Sequence, residues 1–203
     1  MNPVMPRARA GRDTQPPADK RAAILDAAIH LFVELGFHGT AVPQVAKRAG
    51  VGAGTIYRYF ESKEALVNEA YREWKQRLSM HLLAQFAPTG DSHEQFVGLW
   101  RRMADFLEKH PTEYAFIEIQ SHADYLDEQS AGIEEQLLGM ATAYIAAAQA
   151  RGDFRAGQPE VIWSLVEGAF IGFARFVRGG RIALTPETID LSAELAWELV
   201  QPR

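Results

Sequence analysis

Thr55, Tyr57, Arg58 and Tyr59 lie close together in the chain, and Lys63 follows shortly after. Their side chains offer hydroxyls, phenolic tips, a guanidinium and an ammonium. Such groups donate to phosphate oxygens and read base edges, so the chemistry on offer is recognition of a nucleic acid. Other kinds of chemistry lack their parts. The chain has no cysteine, which removes disulfides and thiolate catalysis. Its 6 histidines are scattered with no His-Glu-x-x-His pattern, so neither a metal nor a cofactor is expected. The run Gly50-Val51-Gly52-Ala53-Gly54 has the glycines of a phosphate loop. It lacks the Gly-Lys-Ser/Thr ending and follows no strand.

Charge supports a polyanionic partner. Residues 1–63 hold nine Lys or Arg against five Asp or Glu, a balance of +4, which leaves −9 for the rest of a chain of net charge −5. A basic head on an acidic body directs the head towards a polyanion.

The elements that must position these side chains are helical throughout. The chain reads as an all-α protein of about nine helices, with no period-two segment and no internal repeat. Residues 1–18, with Pro3, Pro6, Pro16 and Pro17, read as a flexible arm. Its Arg7, Arg9 and Arg12 suit either a solvated tail or an arm that reaches a minor groove.

A first helix starts at Asp19 as its cap and carries Ile24, Ala28, Leu31, Phe32 and Leu35 at helical spacing until Gly36. A second covers Val42–Ala49, with Thr40 as its cap and Pro43 in its first turn. A third covers Thr55–Phe60. Ser62 caps a long fourth helix that runs to about Phe86 and is closed by Pro88 and Gly90. Further helices run from Ser92 to His110, from Pro111 to Leu126, and through Ile133 and Ala148 to a stop at Gly152. The last two run from Pro159 to Gly179–Gly180, and from the Thr185-Pro186 start to just before Pro202.

Two short helices separated by a glycine-bearing turn have the form of a helix-turn-helix. Gly50 supplies the positive φ of that turn, and Val51 plugs the gap. Ile56 and Phe60 anchor the third helix inward, which turns Thr55, Tyr57, Arg58 and Tyr59 outward or sideways. Lys63 stands at the start of the long helix, where it is placed to hold phosphate.

The stretch Gly39–Leu66 closely resembles the DNA-binding domain of the tetracycline-repressor (TetR-like) family. The matching residues are Thr40, Val45-Ala46, Ala49-Gly50-Val51, Gly54-Thr55-Ile56-Tyr57-Arg58-Tyr59-Phe60 and Lys63-Glu64-Ala65-Leu66. Upstream, Leu31-Phe32 and Gly36-Phe37 also fit. One departure is Gly52, where the family often has a capping Ser. The resemblance implies a DNA-binding domain at 19–66 and an effector-binding and dimerisation domain at 67–203. It implies a homodimer on a palindromic double-stranded operator, released by a small molecule. The DNA-contacting residues expected on this basis are Thr40, Lys47, Arg48, Gly54, Thr55, Tyr57, Arg58, Tyr59 and Lys63.

In the body, the eighth helix carries more apolar surface than one core stripe needs. Trp163, Gly168, Gly172 and Phe173, with Leu195 and Leu199 of the ninth, are the expected dimer interface. Trp100, Met103, Tyr114, Ile117, Tyr125, Met140, Tyr144 and Phe170 are expected to line a pocket for a hydrophobic or aromatic effector. His110, Glu118 and His122 are candidate polar tips there, or core and surface residues.

Two other classes compete. A helical enzyme would need a nucleophile–base pair or a metal cluster, and a protein-binding adaptor would have no use for the DNA-reading pattern. Within the family, repressor and activator are both open. The polar N-terminus and the short apolar runs predict a soluble cytoplasmic protein with no membrane partner.

Overall fold

The computed structural model describes residues 17–84, 90–119 and 125–202, and the regular structure among them is helical. Residues 1–16 of the expected arm, Phe86 and Pro88 at the close of the long helix, and His122 lie outside the described residues.

The head comprises α1 (Pro17–Gly39), α2 (Val42–Arg48), α3 (Ala53–Tyr59) and the start of α4 (Lys63–Leu83). The first helix begins at Pro17, so Asp19 sits in its first turn rather than at its cap. There its carboxylate still faces the positive end of the helix dipole. Gly36, at φ 73°, breaks the helix, and the chain resumes a helical course to Gly39.

Ile24, Ala28 and Phe32 of α1 are buried with Val45, Ala46, Ile56, Phe60, Leu66 and Val67. By length and composition Asp19–Gly39 would also suit a bilayer, with a mean hydropathy of 1.3. Its most apolar side chains instead form the core of the head. Gly50, at φ 68°, makes the turn from α2 to α3. The Val51 N–H donates to the Ala46 carbonyl at 3.0 Å, and the Val51 side chain packs on the core.

Thr40 does not cap α2. Ala41 holds that place, and its N–H donates to Gln44 Oε1 at 2.7 Å. The Thr40 side chain is buried, and its hydroxyl donates to the carbonyls of Gly36 at 2.8 Å and Leu31 at 3.1 Å. A helix leaves its last carbonyls unpaired, and the single proton of this buried hydroxyl is shared between two carbonyls there, nearer that of Gly36.

In the body, Ser62 caps α4, its hydroxyl accepting from the Ala65 N–H at 3.0 Å. Asp91 caps α5 (Ser92–Lys109) in the same way. The expected helix Pro111–Leu126 is shorter: α6 (Pro111–Tyr114) runs into a π-helical segment (Ala115–Ile119). Then come α7 (Glu128–Ala150), α8 (Pro159–Arg178) and α9 (Pro186–Trp197). Thr185 caps α9 as expected, and Thr188 completes a capping box with it. α5 lies along α9, held by Trp100 Nε1 donating to Ser192 Oγ at 2.8 Å and by the Arg101–Asp190 pair.

Head and body meet through more than α4. Phe37 stacks on Tyr125 with centroids 4.2 Å apart, and Phe32 stacks on Phe116 of the π-helical segment at 6.0 Å. The buried amide of Asn68 donates to the carbonyls of Glu64 and Tyr125, both at 2.8 Å, and accepts from the Asp127 N–H at 2.9 Å. Each polar atom of that amide is thus satisfied, so the segment leading into α7 is tied to α4.

Candidate nucleic-acid interface

The third helix presents one open face. Ala53, Gly54, Tyr57 and Arg58 are exposed, with Tyr57 at 56%, while Ile56 beneath them is buried. Their spacing puts them on one side of the helix, opposite the side that Ile56 and Phe60 anchor. Thr55 is half-buried, and Tyr59 is half-buried against the core, with its ring 6.4 Å from that of Phe60. Of the expected contacts on this helix, Gly54, Tyr57 and Arg58 therefore stand free for a partner, and Tyr59 has a packing role.

Gly54 is informative because nothing inside the chain requires it. Its φ is not left-handed, and a Cβ there would meet nothing within 4 Å. A glycine that neither backbone nor packing demands leaves the helix surface bare, and so permits close approach from outside. Gly52 begins the helix without a side-chain cap, as its identity requires.

Lys47 and Arg48 are exposed at the end of α2, just before the turn into α3. Arg48 pairs with Glu34 at 2.9 Å, with both side chains largely open to water. Such a pair is worth about 0–1 kcal/mol, so a phosphate can compete for the guanidinium.

Lys63 stands at the start of α4 as expected, but it and Thr40 have partners inside the chain. Lys63 Nζ donates to the carbonyls of Phe37 at 2.9 Å and Thr40 at 3.1 Å, and lies 4.1 Å from the centroid of the Phe37 ring. The ammonium thus clamps the end of α1 to the start of α4, and Thr40 is interior. Both residues thus help to hold the recognition helix in place. Lys63→Met is accordingly expected to destabilise the protein by about 1.5–3 kcal/mol, the worth of hydrogen bonds to a charged group. For a chain of this size, that lowers Tm by roughly 2–4 °C per kcal/mol. The salt dependence of DNA binding should stay unchanged. An unaltered Tm together with a salt slope smaller by about one would return Lys63 to phosphate contact.

The expected effector residues do not share one wall. Trp100, Tyr114 and Phe170 are buried together, with Phe170 in edge contact with Trp100 at 4.9 Å and with Tyr114 at 5.8 Å. Ile117 is buried nearby on the π-helical segment. Met103 and Tyr144 are half-buried, and the Tyr144 hydroxyl donates to Gln95 Oε1 at 2.9 Å. Tyr125 belongs to the junction with the head, and Met140 is 46% exposed on the outside of α7. Of the polar candidates, His110 packs its ring against Trp74 and Phe106. Glu118 is 10% exposed and pairs with Lys75 at 2.7 Å.

Sequence reasoning missed Lys75, Glu134 and Glu167 in this region. A signal existed in Glu167, a carboxylate set between Trp163, Val166 and Phe170 on an apolar stripe.

The apolar face left open on the last two helices is not quite the expected one. Val161, Leu165 and Phe176 of α8 and Leu191 and Leu195 of α9 are each at least 48% exposed. Gly168 and Gly172 lie along the same line of α8, with open space where a Cβ would stand. Trp163, Phe173 and Leu199 are instead half-buried against the core. The helical period explains the difference, since residues two or five positions from Leu165 and Gly168 fall on the inner side.

Comparison with known proteins agrees with this geometry. Residues 24–70 match the family described as "Bacterial regulatory proteins, tetR family", and residues 71–202 match "Tetracyclin repressor-like, C-terminal domain". The chain is 41% identical over 66 residues to the HTH-type transcriptional repressor KstR2 of Rhodococcus jostii, covering 29% of this chain and 32% of that protein. The first curated relatives are matched over only 28–33% of their length. Among solved structures, a tetR family regulator from Shewanella sp. PV-4 superposes with a TM-score of 0.77 at 27% identity, covering 91% of this chain and 99% of that one. AibR, solved in complex with isovaleryl coenzyme A and operator DNA, shares the fold with a TM-score of 0.70 at 18% identity, covering 88% and 97%. A recognition helix with a bare, polar outer face, a turn built on Gly50 and family matches along almost the whole chain have one reading: the chain belongs to the tetR family of bacterial regulatory proteins.

Proposed function

We propose that the chain is a DNA-binding transcriptional repressor that acts in the cytoplasm as a homodimer and leaves its operator when a small molecule enters its body. The observation that carries this reading is the outer face of α3. Gly54, Tyr57 and Arg58 are exposed there, on a helix whose inner face is fixed by Ile56 and Phe60, and Lys47 and Arg48 are exposed just before the turn that leads into it. Residues 19–66 read DNA and residues 67–203 sense the effector and dimerise.

The open apolar line on α8 and α9 suits a two-fold partner, because a four-helix interface would cover it. Two heads so joined would present their recognition helices about 34–36 Å apart, one turn of a palindromic operator. AibR, with the same fold, was solved with both isovaleryl coenzyme A and operator DNA, which supports a regulator with two ligands.

Release needs coupling between body and head. The junction offers two routes: α4, which belongs to both, and the Phe32–Phe116 and Phe37–Tyr125 stacks, which tie α1 to the segment after α6. An effector that shifts the dimer from 1:99 to 99:1 in favour of the released form must prefer that form by about 5.5 kcal/mol.

The test is gel retardation of the DNA upstream of the protein's own coding sequence, with unrelated DNA as competitor. Retention at nanomolar protein, lost on scrambling a palindrome within the fragment, is expected. Equal retention of scrambled DNA would refute sequence-specific regulation.

A further inference from the structure

The body holds a group of charges at the edge of its apolar core, with Lys75 and Glu118 inside and Glu134 half open to water. Lys75 of α4 is buried and pairs with Glu118 of the π-helical segment at 2.7 Å, and more distantly with Glu134 of α7 at 3.9 Å. Tyr71, one turn before Lys75 and fully buried, donates its hydroxyl to Glu134. Glu167 stands on α8 one turn before Phe170, whose ring lies 5.8 Å from that of Tyr114, and burial first, and then the charge of Glu118, raises its carboxyl above the usual range. Among the described residues Glu167 has no ion-pair partner. Two carboxylates thus reach one ammonium, and a third stands on a neighbouring helix without a cation of its own.

A second observation is independent of those charges. Tyr114 is 0% exposed, and its hydroxyl has no hydrogen-bond partner among the described residues. Burial and the charges of Glu118 and Glu167 push that hydroxyl's pKa up, so it stays protonated beside them. A buried hydroxyl without a partner is costly, and native proteins seldom leave one unless something else uses it. The ring of Tyr114 also meets Phe170, which continues into Trp100. The polar group therefore borders an aromatic one. Finally, the chain turns from α6 into a π-helix between Tyr114 and Glu118, a rare local geometry often found at binding sites.

We propose that this cluster recognises a protonated amine carried on an apolar or aromatic body, with the ammonium held by Glu118, Glu134 and Glu167 and the body laid against Tyr114 and Phe170. The Tyr114 hydroxyl accepts one ammonium N–H, and the aromatic faces add their attraction for a cation. The ligand supplies the positive charge that one lysine cannot give to three carboxylates. An anion of the same shape would meet a net negative site and is rejected. The proposal rests on the reading of the body as an effector domain and names the effector's class.

The position of the cluster also links it to the head. Glu118 shares its segment with Phe116, which stacks on Phe32 of α1. Glu134 lies on α7, the start of which is tied to α4 by the Arg72–Asp127 pair at 2.7 Å. Drawing Glu118 and Glu134 towards a ligand pulls on both routes to the recognition helix.

The experiment is calorimetric titration of the DNA-free protein with three probes of one shape: 4-phenylbutylamine, 4-phenylbutanol and 4-phenylbutanoate. The amine is expected to bind at least about tenfold more tightly than the alcohol, and the carboxylate not to bind. Glu167→Gln removes a carboxylate that has no cation of its own, so the variant should fold with an unchanged or higher Tm. It should weaken the amine about tenfold and leave the alcohol unaffected. Tyr114→Phe should also weaken the amine, by a few-fold. No saturable amine binding, equal binding of the carboxylate, or an unchanged amine affinity in Glu167→Gln each overturns the proposal. Because no DNA is present, these failures are separate from a failure of operator binding, which gel retardation reads without any amine.

Discussion

Tyr57→Ala/Arg58→Ala is expected to lose at least about a hundredfold in operator affinity while keeping its fold. Both side chains are exposed, Tyr57 at 56%, so little packing is sacrificed on truncation. Exposed substitutions away from caps and cores usually change stability by about 0.5 kcal/mol or less. Reading a base edge, in contrast, is worth about 1–3 kcal/mol per side chain, and removing two such side chains together costs roughly a hundredfold or more. The two residues should separate when tested singly. Arg58→Ala should reduce the slope of log affinity against log salt by about one per site if the guanidinium meets phosphate, whereas Tyr57→Ala should leave that slope alone. Fluorescence anisotropy over a salt series, with a circular-dichroism melt of each variant, gives both readings. Wild-type affinity in the folded double variant would remove α3 as the reading surface.

If the proposed two-fold partner covers α8 and α9, Leu165→Glu/Leu195→Glu is expected to leave the protein monomeric and, with that, to abolish tight operator binding. In the single chain these residues are 54% and 56% exposed, so a carboxylate there costs the isolated protomer little. In a two-fold interface each substitution occurs twice. Each removes about 1.5–3 kcal/mol of apolar burial and sets a charge where water is excluded. Such a sum exceeds what a dimer of ordinary size can absorb. Operator affinity falls as well, because two half-sites are no longer read by one linked pair of heads. Sedimentation at micromolar concentration, followed by gel retardation, checks both steps. A variant that still sediments as a dimer would place the interface on another face.

The elements themselves were largely legible in the sequence, because local interactions decide them. Gly36 and Gly50 mark a helix end and a turn through a conformation that other residues resist, and both take positive φ. Ser62 and the Thr185-Pro186 start open their helices as their side chains dictate. The inward set Ile56 and Phe60, and the outward Tyr57 and Arg58, follow from helical period alone.

Only tertiary structure decided what the polar side chains do. Lys63 reads as a free cation at a helix start, yet the end of α1 arrives beside it with unpaired carbonyls, and the ammonium is committed there. Thr40 is drawn inside for the same reason. The expected aromatic wall divided into a buried trio, a junction residue and an exposed Met140, because periodicity says which residues share a face but not what that face meets. The π-helical turn at Ala115–Ile119 has no sequence signature, and Glu118 lies on it. The carboxylates around Lys75 come from three segments far apart in the chain. Sequence by itself determined the helices and the reading head, since those depend on neighbours a few residues apart. The fate of each buried charge depends on partners that only the folded chain brings within reach.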